Sequence, residues 1–122
     1  MKLKNMSSIA VLAIVGLAFA AGGTVLRANL IGVGKGKVTW KVKDIGNEHQ
    51  AELSAESERL RPNSSYTVTI GTNSSITVST NAFGAFSVDQ RFTTLSRPNI
   101  RVGDVVTVVD AGGATVQSGS MQ

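Results

Sequence analysis

The sequence predicts an all-β protein: a small antiparallel Greek-key sandwich of about 7 to 8 strands after an N-terminal signal peptide. Three observations predict it. Apolar and polar residues alternate with period two in segment after segment, as half-buried strands require. Clusters of Gly, Asn, Ser and Pro punctuate the chain at intervals of roughly 8 to 12 residues. No stretch carries a convincing long 3.6-residue period, so no long helix competes.

The N-terminus comes first. Lys2 and Lys4 are followed by an apolar run over 9–21, ending in Ala18-Phe19-Ala20, with small residues at the −3 and −1 positions of a cleavage site after Ala20. This is the three-part plan of a secretory signal peptide, so residues 1–20 are expected to be a signal and residues 24–122 a single domain. The uncharged stretch 7–26 also approaches the roughly 20 residues of a bilayer span, although Gly22-Gly23 interrupts it; left uncleaved, it is an N-terminal membrane anchor. Either way the domain is expected to be exported, secreted or periplasmic, with no membrane contact after cleavage.

Composition narrows the chemistry. Cysteine is absent, which excludes disulfides, thiolate nucleophiles and sulfur-ligated metals. An exported domain without cysteine suits bacterial practice better than eukaryotic. Asn63-Ser64-Ser65 and Asn73-Ser74-Ser75 match the N-glycosylation pattern but are more simply turn residues. The whole chain carries 12 basic against 8 acidic residues; without Lys2 and Lys4 the balance falls from +4 to +2. That leaves no electrostatic case for nucleic acid.

The strands follow in order. A first is expected over 25–32. In 36–45, Val38, Trp40 and Val42 oppose Lys37, Thr39, Lys41 and Lys43. A turn is expected over 46–49. In 50–59, Ala51, Leu53, Ala55 and Ser57 alternate with Glu52, Ser54, Glu56 and Glu58. Helix propensity favours that segment, yet the alternation and the preceding turn point to a hairpin. Strands over 65–71 and 75–80 flank a turn at 72–74, and another turn at 81–84 leads into 85–89 and Phe92. The β-branched run 104–110 and the short strand 115–118 complete the set, joined at Ala111-Gly112-Gly113-Ala114.

Residues 60–70, LRPNSSYTVTI, resemble the tyrosine-corner segment of fibronectin type III domains, with Leu60, Pro62, Tyr66, Val68 and Ile70 in the motif's places. The resemblance implies an immunoglobulin-like or related Greek-key sandwich in which the Tyr66 hydroxyl bonds back to upstream backbone. About four strands follow Tyr66 here, where that family has one. The Arg-Gly-Asp adhesion loop is missing, so integrin binding does not carry over. Trp40 is expected to be the large central side chain.

Catalytic chemistry finds little support. His49 is the one histidine, so a triad could run only through it and a multi-histidine metal site is excluded; a solvated turn position beside Glu48 explains it. Glu52, Glu56 and Glu58 share a strand face, as glycoside-cleaving carboxylates can. Lysines opposite them, with Lys43 facing Glu52 and Lys37 facing Glu58, explain them as cross-strand pairs. The run Gly32-Val33-Gly34-Lys35-Gly36 lacks the ending of a phosphate loop and reads as a flexible connection. Asp110 offers one oxygen to a calcium ion without the companions such a loop needs.

The expected function is therefore non-enzymatic: an exported binding or structural module of the cell envelope or extracellular space. It takes no cofactor, and its partner is a protein or polysaccharide at the cell surface. Contact candidates are the turn residues Asn47, His49, Asn63, Asn73, Asn81 and Phe83, with Gly84 beside them, because loops on a rigid scaffold carry recognition. Phe83 has a rival assignment, folding back to cap the core. The alternatives are a subunit that assembles by adding strands and a small carboxylate-dependent exported hydrolase.

Overall fold

A computed structural model describes residues 23–45, 48–72, 74–93 and 96–122. The expected signal segment, Asn47 and Asn73 lie outside the described residues, and of His49 only the backbone is described. Among the described residues there are eight strands: β1 (Gly23–Gly32), β2 (Gly34–Ile45), β3 (Glu48–Glu58), β4 (Ser65–Ile70), β5 (Ser74–Ser79), β6 (Phe86–Phe92), β7 (Val105–Asp110) and β8 (Thr115–Ser120). Each predicted segment is a strand. The helix-prone segment becomes β3 because it is flanked by β2 on one side and β6 on the other, and its alternate residues Ala51, Leu53 and Ala55 enter the core.

All pairings are antiparallel in one sheet, ordered β5-β4-β7-β8-β1-β2-β3-β6. The sheet rolls into a near-barrel, so that its two edges, β5 and β6, approach each other without hydrogen-bonded pairing. Around that ring, the crossings β3-to-β4 (59–64) and β6-to-β7 (93–104) each pass over two strands, which is Greek-key connectivity. The inner face carries Leu26, Val38, Trp40, Leu53, Val68 and Val106 among others. Trp40 is 2% exposed, and its ring meets Phe92 edge-on with centroids 5.9 Å apart. The Tyr66 hydroxyl accepts the Arg61 backbone N–H at 3.0 Å, which is the corner bond expected from the sequence.

The strand directions sort the connections onto two ends of the barrel. The upper end holds the β1–β2 hairpin, the 59–64 crossing, the 80–85 connection and the β7–β8 hairpin. The lower end holds the start of β1, the 93–104 crossing and the chain's last residues, where Arg27 and Gln122 exchange backbone hydrogen bonds.

Three expectations need correction. The β2–β3 register places Lys41 opposite Glu52, Lys37 opposite Glu56 and Lys35 opposite Glu58, while Lys43 faces Gln50. The strands pair out to Ile45 and Glu48, so the connection is two residues shorter than expected. A slip of two preserves the faces, so the charges still line the outer surface. For the same reason His49 is not a turn residue: it lies in β3, opposite Asp44.

The glycine run is not a flexible connection either. Gly32 and Gly34 pair directly across a tight hairpin. A Cβ at Gly32 would lie 2.2 Å from the Val116 carbonyl oxygen, and one at Gly34 would lie 2.1 Å from that of Glu58. Glycine there permits backbone to pack on backbone.

Candidate ligand-binding groove

An open groove of about 750 Å³ lies at the upper end, between the top of the β2–β3 hairpin and the turn joining β5 to β6. Its walls come from Lys35, Gly36, Lys37, Glu56, Ser57 and Glu58 on one side, and from 79–81 and 85–87 on the other. Cross-strand pairing sets Lys35 against Glu58 and Lys37 against Glu56, with Lys37 Nζ 3.5 Å from Glu56 Oε1. These are exposed pairs, individually worth little to stability.

Behind the wall sits a buried polar network. Gln117 is 1% exposed, yet no sequence signal marked it. Its Nε2 donates to the Val33 carbonyl oxygen at 2.7 Å, and its Oε1 accepts from Ser57 Oγ at 2.8 Å. A Cβ at Gly36 would lie 2.9 Å from that Oε1 and 2.7 Å from the Glu56 carbonyl oxygen. Every polar atom of the Gln117 side chain thus holds the hairpin top in place, as burial demands.

The opposite wall is built just as firmly. Thr80 Oγ1 donates to the Arg61 carbonyl at 2.6 Å and accepts the Ser64 N–H at 2.9 Å, tying β5 to the 59–64 crossing. Asn81 Oδ1 accepts the N–H groups of Phe83 (2.9 Å) and Ala85 (3.1 Å). Asn81's own N–H donates to Ala85, and its carbonyl accepts from Asn63 and Gly84. Gly84, with φ of 78°, presses against Leu60. This scaffold leaves Phe83 87% exposed, so it does not cap the core. Phe83 lies two residues from each of two wall residues, Asn81 and Ala85.

The predicted contact residues are therefore split. Asn63, Asn81 and Phe83 come together at the upper end, all exposed, with Asn63 at φ of 51° in its turn. His49 stands at the other end of β3. Ile31 and Val33, 74% and 55% exposed, share the upper end with Phe83. Sequence reasoning missed Lys35, Ser57, Thr80 and Gln117.

Outside the groove, Glu52, Asp89, Asp104 and Asp110 have structural partners. Asp89 Oδ1 accepts Ser54 Oγ at 2.6 Å, and Asp110 Oδ1 accepts the N–H groups of Gly112 and Ala114 to close the β7–β8 turn. Among the described residues, no group of three or more His, Asp or Glu side chains is placed to hold a metal ion. No protein-family model and no curated protein matches the chain.

Proposed function

We propose that this protein is an exported, non-enzymatic binding or structural module of the cell envelope or extracellular space, with an immunoglobulin-like or fibronectin type III-like character. Its partner is a protein or polysaccharide at the cell surface, engaged through the upper end of the barrel. One observation carries the reading: a large apolar ring, 87% exposed, stands on a hydrogen-bonded loop whose Asn81 and Ala85 line a groove of about 750 Å³. A loop already ordered in the free protein loses little conformational entropy when its exposed ring meets a partner. The tyrosine-corner bond and the Greek-key crossings support the immunoglobulin-like comparison.

The groove carboxylates favour binding over hydrolysis, since Glu56 and Glu58 each face a lysine across the hairpin. The test uses the purified domain on immobilised cell-envelope polysaccharide and on immobilised surface-protein extract. Retention on either that is lost in Phe83→Ala, with melting unchanged, is the expected result. Equal retention of wild type and variant on both, or of neither, contradicts the reading. A second reading, assembly by strand addition, rests on the two edge strands β5 and β6. It predicts concentration-dependent self-association, or partner capture, that survives Phe83→Ala.

A further inference from the structure

The reading of the upper end as the binding surface admits a more specific occupant. We propose that the groove takes a short, uncharged oligosaccharide segment, with Phe83 as its stacking platform.

Charge points this way first. The lining holds Lys35 and Lys37 against Glu56 and Glu58, and the β2–β3 register sets them in opposed pairs. Such a groove presents no field of one sign to draw in a polyanion or a basic peptide. A charged ligand would have to shed its hydration without a matching surplus of opposite charge. A sugar hydroxyl both donates and accepts, so a neutral polyol can satisfy ammonium and carboxylate groups alike.

The second support is the division of labour among the polar groups. Ser57 and Thr80 are spent inside the protein, on Gln117 and on the 59–64 crossing. Exposed Ser79 and Ser87, the four charged side chains and the amide N–H groups of Asn81 remain at the rim. That is a dense set of hydrogen-bonding groups over a shallow surface, suited to a ligand bearing hydroxyls along its length.

The third is Phe83 itself. A phenyl face packs against the C–H face of a pyranose ring and removes apolar area from water without requiring a deep pocket. The two bonds to Asn81 Oδ1 and the Leu60–Gly84 contact fix the loop before a ligand arrives, so little ordering entropy is lost on binding. The groove's volume lies within the range of ordinary small-ligand sites.

The test is an array of neutral gluco-, manno- and galacto-oligosaccharides together with uronate-containing and sulfated ones. Titration calorimetry of the hits follows at low and raised salt, for wild type and Phe83→Ala. Expected are neutral hits, a Kd that changes less than about twofold with salt, and weakening of at least about tenfold in Phe83→Ala at unchanged melting temperature. Binding confined to acidic oligosaccharides and falling with salt overturns the proposal, as does silence across the array. In either case, Phe83-dependent retention on surface protein or acidic polysaccharide leaves the broader binding reading standing. Loss of every Phe83-dependent interaction removes both.

Discussion

The backbone N–H of Leu60 donates to the carbonyl oxygen of Gly84 at 2.9 Å, and a Cβ placed on Gly84 would lie 2.0 Å from the Leu60 carbonyl oxygen. This contact joins the 59–64 crossing to the 80–85 connection at the upper end. Gly84→Ala must therefore both adopt φ of 78° and push the two segments apart. A loss of about 2 to 4 kcal/mol is expected in denaturant melts, and a loss under about 0.5 kcal/mol would show that the loops are not so tightly joined.

Trp40→Ala removes the large side chain at the barrel centre together with its contact to Phe92. The expected cost is about 3 to 5 kcal/mol, against a total stability on the order of 5 to 15. Near-complete unfolding, followed by circular dichroism, is the outcome. A variant that melts like wild type would place Trp40 outside the core.

Tyr66→Phe keeps the ring and deletes the acceptor of the Arg61 N–H. A part-buried corner bond makes this worth about 1 to 3 kcal/mol. Equal melting midpoints would mean that the N–H is fully satisfied by water.

Gln117→Leu fills the same volume but strands the Val33 carbonyl, while Ser57 keeps the Lys35 carbonyl oxygen, 3.1 Å away, as an acceptor. The expected loss is about 1 to 3 kcal/mol. Amide exchange at Val33 and Gly34 should speed up with it. Unchanged exchange there would show that Gln117 does not hold the hairpin.

The strands were legible because each announces itself through its own alternation, and Trp40 and Tyr66 alternate in phase with their apolar neighbours. The order of strands was not, since alternation in 65–70 says nothing about whether β7 or β3 lies beside it. Register escaped by two residues, because a hairpin closing over two residues or four leaves the same faces inward. Gly32, Gly34 and Gly36 carried an unread signal: glycine at alternate positions strips one strand face of side chains, which marks close backbone approach rather than flexibility. Gln117 sits between Val116 and Ser118 with no pattern to distinguish it, so only tertiary placement reveals its role. Asn63, Asn81 and Phe83 were legible as turn residues, but their convergence on one end required the two crossings.

The most direct test of the upper end as the binding surface is chemical-shift mapping on ¹⁵N-labelled residues 23–122, titrated with a mixture of neutral oligosaccharides. Perturbations are predicted at the amides of Gly36, Ser57, Ser79, Asn81, Phe83 and Ala85, with little change at Gly71, Val102 and Gln122 at the opposite end. Perturbations clustered at Gly71, Val102 and Gln122 would contradict the upper end as the binding surface, and none at any amide would contradict the oligosaccharide as its occupant.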